Sequence, residues 1–328
     1  MGYLRKKILF YLIAVWAALT LNFLIPRLAP GNPVDAILAR QQQVAPVPPE
    51  ARRSLELLLG VSDEPLWRQY IDYLQQIFTG DLGRTVTYFP TPVTQVIGDT
   101  LPWTLCLIGI STALSFLIGI TLGAIAGWYR GSKLDILVPS TTMLAAIPYF
   151  WLALIFVFVF AFKLGWFPLA QGYDVYHTQP GWNWPFIQSA IYHGTLPAIT
   201  IIVSSIAGWL LGMRNMMVST LGEDYVLTAE AKGLPTRRVM ISYAARNAVL
   251  PSVAGVAISL GFVVSGSIVT EAVFSYPGIG YTLLQAVQNA DYPLMQGIFL
   301  IITLSVLGAN FIVDVLYAFI DPRARVQS

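Results

Sequence analysis

Charge is what this sequence has least of. Only 11% of its 328 residues are Asp, Glu, Lys or Arg, against about 25% in an average soluble domain. So few charges cannot cover a soluble surface of this size, and an integral membrane protein is the first expectation. Cysteine is nearly absent: Cys106 stands alone inside an apolar run, which excludes an internal disulfide. The two histidines, His177 and His193, have no cysteine or paired carboxylate at ligand spacing, so no metal site is expected. The net charge is +2, and no strongly basic surface argues for nucleic acid. No G-x-x-x-x-G-K-[ST] occurs, and Gly131-Ser132-Lys133 lacks the rest of that loop. The chain therefore has no such phosphate cradle and is not expected to hydrolyse ATP itself.

Apolar residues, at 56%, are what the chain has most of. Six segments carry no Asp, Glu, Lys or Arg and are long enough to span a bilayer, which takes roughly 20 residues. They are 8–26, 100–129, 136–162, part of 175–213 with the helix beginning near His193, 247–270 and 292–313. The stretch 272–290 is also uncharged, but Tyr276-Pro-Gly-Ile-Gly280 breaks a helix and predicts a loop or re-entrant piece. At the N-terminus, Arg5, Lys6 and Lys7 precede the first apolar run, as in a signal peptide. That run is long, and residues 27–30 offer no small-x-small cleavage site, so a retained helix is expected.

The expected fold is therefore all-α and membrane-embedded, with six transmembrane helices. Residues 1–28 form a tail and the first span, 29–99 an external segment, 100–320 a five-helix core interrupted by a polar loop at 214–248, and 321–328 a tail. Within the external segment, 50–59 and 64–78 read as short helices, with Trp67, Tyr70, Ile71 and Leu74 on one face of the second. With the N-terminus inside, the cytoplasmic loops and ends hold Arg5, Lys6, Lys7, Arg130, Lys133, Arg214, Lys232, Arg237, Arg238, Arg246, Arg323 and Arg325. These are 12 of the 19 basic residues. That distribution places both termini in the cytoplasm.

Several absences within the spans narrow the function. A secondary transporter should show ionisable groups at the midplane or inverted repeats. Neither is evident, since Lys163, Glu271 and Asp291 lie at segment ends. An intramembrane hydrolase needs a nucleophile and base. Ser265 or Ser267 with His193 is the one candidate set, and no G-x-S-x-G surrounds either serine. The second span carries Ser115, Gly119, Gly123 and Gly127, a small residue every fourth position, which predicts a tight helix–helix contact. The fifth span is rich in small residues, among them Gly261, Ser265 and Ser267. This face could line a polar path or simply pack.

The polar stretch between the fourth and fifth apolar segments holds eight charges: Arg214, Glu223, Asp224, Glu230, Lys232, Arg237, Arg238 and Arg246. Inside it, Tyr225 to Lys232 reads as a two-turn helix. Glu223 and Asp224 sit where the dipole favours them, and Gly233 and Pro235 end it. Ala229, Ala231 and Gly233 give that helix a small side suited to a partner's groove. An interfacial helix with Val226 and Leu227 facing lipid is the alternative.

Tyr225-Val-x-x-Ala-x-Ala-x-Gly-Leu, with Arg237-Arg238-Val and Ala245-Arg-Asn-Ala-Val-Leu-Pro251 after it, resembles the cytoplasmic loop of ABC importer permeases. The resemblance is nearest the dipeptide/oligopeptide/nickel branch and covers nearly the whole chain. Arg27-Leu-Ala-Pro-Gly-Asn-Pro33, Gly80-Asp-Leu-Gly83, Glu271-Ala-Val-Phe-Ser-Tyr-Pro-Gly-Ile-Gly280, Asp291-Tyr-Pro293 and Asp314-Val-Leu-Tyr-Ala-Phe-Ile-Asp-Pro-Arg323 match in order and spacing. The family's glutamate six residues before the loop glycine is replaced by Leu227. The resemblance implies one of two similar permease subunits in the inner membrane, two cytoplasmic ATPases that bind ATP and Mg, and an external solute-binding protein. No cofactor is implied on this chain. It implies that Tyr225, Ala229, Lys232, Gly233 and Arg237 couple ATPase motion to transport; the small face of the fifth span, Gly261, Ser265 and Ser267, is the candidate lining of the path. Peptides are the expected solutes, with oligosaccharides or nickel as alternatives.

Overall fold

An apolar run in lipid must satisfy its own backbone hydrogen bonds, and a helix does so within one segment. The computed structural model describes residues 2–28, 64–262 and 268–320, and these are mostly helical with no strand among them. The expected helix at 50–59, Ser265, Ser267 and the tail 321–328 lie outside the described residues. The helices are α1 (Gly2–Leu28), α2 (Leu66–Thr79), α3 (Val93–Trp128), α4 (Lys133–Ala146), α5 (Tyr149–Phe156), α6 (Trp184–Thr220) and α7 (Asp224–Ala231). After a helical run over 236–248 come α8 (Leu250–Phe262), α9 (Ile268–Val273), α10 (Ile279–Gln288) and α11 (Tyr292–Ile320).

Among the described residues, four stretches are single helices long and apolar enough to cross a membrane: Lys7–Ile25, Val93–Trp128, Trp184–Thr220 and Tyr292–Ile312. One of the other two expected spans is composite. Segment 136–162 is divided into α4 and α5 at Ile147-Pro148, and α5 runs on as a π-helical turn, Val157–Lys163. Pro148 has no N–H to continue the ladder and steers the residue before it out of helical geometry. Segment 247–270 is helical over α8 and α9 where it is described, with 263–267 outside the described residues.

Boundaries also move. α3 begins at Val93, inside what the sequence assigned to the external segment. α6 begins at Trp184 rather than near His193, because the Asn183 side chain accepts the Phe186 N–H and Pro185 occupies the first turn. It also runs seven residues into the expected polar loop, to Thr220. At roughly 1.5 Å per residue its 37 residues far exceed a hydrocarbon core of about 30 Å, so its ends project beyond it.

The chain forms two units. The first takes residues 1–104, 264–268 and 277–328. Here α2 lies on α1 and α11. Phe23 of α1 meets the rings of Tyr70 and Tyr73 edge-on and tilted, at 5.1 and 5.5 Å. The Asn22 amide donates to the Tyr73 hydroxyl and to the Gln296 carbonyl. Such side-chain hydrogen bonds tie helices together where apolar burial gives no drive. Of the expected face of α2, Tyr70 and Leu74 pack, whereas Trp67 and Ile71 are exposed and Tyr73 is the buried residue. A core of Val93, Val96, Ile97, Ile279, Leu283, Ala286, Leu294 and Ile298 joins α3, α10 and α11.

The second unit, 105–263 and 269–276, is built on α3 against α6. The glycine stripe is its contact. A Cβ on Gly119 would stand 2.6 Å from the Trp209 Cβ, and one on Gly127 would stand 2.5 Å from the Met217 Cβ. One on Gly123 would fall on the Leu210 carbonyl oxygen. Glycine is the residue that lets these two backbones touch. Phe116 packs edge-on to Trp209 from the same side. α8 meets that indole from elsewhere, with Gly255 under its ring.

Candidate functional site on the polar loop

Two residues of α7 hold it to its own chain. Val226 and Ala229, three positions apart and so on one face, are buried among Met213 and Met217 of α6 and Val239, Ala244 and Ala248. Ile120, Ala124 and Trp128 of α3 close the cluster. The helix is the expected one shifted by one residue, Asp224–Ala231. Asp224 lies in its first turn, where the dipole favours an anion. Its end is a Schellman closure: the Gly233 N–H reaches the Glu230 carbonyl at 2.8 Å, and the Leu234 N–H the Ala229 carbonyl at 3.4 Å. Gly233 has φ +71°, the left-handed conformation glycine adopts without strain. Leu234 then packs against the same cluster.

Pro235 starts the next helical run at Thr236–Arg238. Seven residues, Val239–Ala245, follow in π-helical geometry, a rare form that recurs at functional sites. Val239 and Ala244 of that turn are the floor on which α7 rests.

The candidate coupling residues divide accordingly. Ala229 faces inward, so the small side expected for a partner is partly used by the chain itself. Tyr225, Lys232, Gly233 and Arg237 are exposed, and so are Leu227, Glu230 and Ala231. Val226, a candidate lipid contact, is fully buried. Of the candidate path residues, Gly261 lies in α8, while Ser265 and Ser267 fall outside the described residues.

Two polar arrangements are absent from the sequence reading. Beside the α7 cluster, Arg214 Nε of α6 donates to Asp135 Oδ1 of α4 at 2.9 Å. Asp135 Oδ2 accepts the Gly131 N–H, and the Asp135 N–H is capped by the Ser132 hydroxyl. The Arg214 hydrogen bond, followed by that of Gly131, holds the Asp135 carboxyl below the usual carboxylate range. In the first unit, Asp291 is buried ahead of α11. Its Oδ1 accepts the Leu294 N–H as an N-cap. Its Oδ2 accepts from the Thr85 hydroxyl and from the Val86 and Thr87 N–H groups. The signal for the second was present: Asp291-Tyr-Pro293 has the cap-then-proline form of a helix start. Nothing in sequence pairs residues 79 positions apart, as in the first.

Residues 119–326 match the family model described as "Binding-protein-dependent transport system inner membrane component". The chain is 32% identical to the oligopeptide transport system permease protein AppB of Bacillus subtilis, over 98% of each chain. It is 34% identical to the di/tripeptide transport system permease protein DppB of Pseudomonas aeruginosa, over 94% of each. It is 32% identical to the oligopeptide transport system permease protein OppB of Haemophilus influenzae, over 98% of this chain and 99% of that one.

Proposed function

The chain belongs to the family of inner membrane components of binding-protein-dependent transport systems, and we propose that it is one of two permease subunits of an importer for short peptides. The relatives named for oligopeptides and di/tripeptides support that solute class over oligosaccharides or nickel. The other parts are a second, similar permease, two cytoplasmic ATPases that bind ATP and Mg, and an external binding protein that delivers the solute. Both termini lie in the cytoplasm, a reading that rests on the distribution of Lys and Arg. This chain binds no cofactor and contributes no catalytic group.

The observation that carries the coupling role is the two-sidedness of α7. Its buried side, Val226 and Ala229, fixes it to α3 and α6. Its outer side presents Tyr225, Lys232 and Gly233, with Arg237 just beyond. An ATPase that grips the outer side moves the helices to which the inner side is bonded. The free energy comes from ATP on the partner subunits, which favours one permease conformation over the other. Gly261, Ser265 and Ser267 remain the proposed lining of the path.

Gly233 gives the direct test. A Cβ there meets nothing within 4 Å, so a side chain would project outward, although the left-handed φ costs about 1–2 kcal/mol for any L residue. Gly233→Trp is expected to abolish peptide uptake while leaving membrane insertion intact. Gly233→Ala, with the same backbone strain but little bulk, should keep most of the uptake. Uptake at the unmodified rate in Gly233→Trp removes the coupling role.

A further inference from the structure

Motion imposed on α7 reaches α6 and α3 through the apolar cluster, yet none of the described side chains of α4 belongs to that cluster. α4 packs on α6 through Val138, which shares a small core with Leu210 and Ala126. Apolar contacts of this kind allow helices to slide. A fixed polar link does not, provided both of its ends are held.

The Asp135–Arg214 pair meets that condition. On the α4 side the carboxylate is set by its helix start. The Ser132 hydroxyl caps the Asp135 N–H, and the Gly131 N–H takes the oxygen that Arg214 leaves. On the α6 side the Arg214 backbone is enclosed. A Cβ on Gly123 would stand 3.1 Å from its nitrogen, and one on Gly127 would stand 2.9 Å from its carbonyl oxygen. The guanidinium also donates to Asn215 Oδ1. Exposure of the two side chains is 11% for Asp135 and 29% for Arg214. Such a pair is less screened than a surface ion pair and is held in one geometry before any motion occurs. Arg214 directly follows Met213 and lies three residues before Met217, the two α6 residues on which α7 rests. Beyond Ala146 the break at Ile147-Pro148 separates α4 from α5, so α4 can follow a pull at its own start.

We propose that the Asp135–Arg214 pair is a strut that makes α4 follow α6 when α7 is displaced, so that both are positioning residues for coupling ATP hydrolysis to solute movement. The proposal rests on the importer reading given above. A structural pair would affect assembly and stability; a strut affects how much solute moves for each ATP spent.

The experiment is the ratio of peptide imported to ATP hydrolysed by the reconstituted complex of both permeases and both ATPases, with peptide-loaded binding protein. Asp135→Asn is expected to lower that ratio on the order of fivefold, with assembly and unstimulated ATP hydrolysis unchanged. Adding Arg214→Gln to Asp135→Asn should lower it no further, because both remove one link. Asp135→Glu with Arg214→Lys, which keeps opposite charges at similar combined reach, should restore much of it. A ratio at the unsubstituted value in assembled Asp135→Asn complex overturns the strut. Additive losses in the double variant overturn it as well. Failure of both Asp135→Asn and the charge-retaining variant to assemble would show that the pair holds the fold, which also overturns it. Absence of peptide-stimulated hydrolysis in the unsubstituted complex would instead overturn the importer reading.

Discussion

At the scale of single residues, buried polar groups decide more than their number suggests. Asp291 is fully buried and its carboxylate is the acceptor for one hydroxyl and three backbone N–H groups. Replacing it with alanine leaves those donors without their acceptor, and each unsatisfied buried group costs about 1–3 kcal/mol. Asp291→Ala is therefore expected to lower the thermal midpoint of the detergent-solubilised protein by several degrees. It should also open the 80–92 loop to protease well before the helices unfold. An unchanged midpoint and an intact loop would show that the clamp contributes nothing. Part of this site was readable, since an aspartate followed by Tyr-Pro marks a helix start. Its second role was not, because residues 85–87 carry no pattern that points to a carboxylate some 200 positions away.

At the scale of elements, small residues at helical spacing on the second span predicted a tight helix–helix contact. What they could not give is which backbone they meet. The structure supplies Leu210, Met213 and Met217. Gly123→Ala would drive a methyl group onto the Leu210 carbonyl, and overpacking of this sort typically costs about 1–3 kcal/mol. Gly98→Ala on the same helix meets nothing within 4 Å, and there alanine favours the helix by roughly 0.5–1 kcal/mol. Thermal unfolding of the two variants side by side should separate them, with Gly123→Ala less stable and Gly98→Ala at least as stable as the unsubstituted protein. Equal midpoints would dissolve the close-packing account. The division of segment 136–162 escaped the sequence reading for a physical reason. Hydropathy averages over 136–162 and sees one span, whereas a single proline at position 148 is enough to divide the backbone. In the polar loop, the short helix and its glycine stop were legible because both are local. Which side of it faces inward was not, because that depends on methionines of α6 and on the π-helical floor.

At the scale of the whole molecule, composition alone gave a multi-pass membrane protein, and the order of several short motifs gave the family. The substrate is written in neither. A chain whose transmembrane helices expose apolar side chains on many sides, such as Phe10, Leu12 and Trp16 on α1, reveals its lipid and its neighbours more readily than its solute. The central claim is that α7 hands ATPase motion to a peptide path. It is tested most directly by ATP hydrolysis in the reconstituted four-subunit complex, measured with the binding protein empty, loaded with short peptides, or loaded with oligosaccharides. The account predicts stimulation by the peptide-loaded protein alone. Stimulation by oligosaccharides alone, or the failure of any ATPase subunit to purify with the permease, would contradict it.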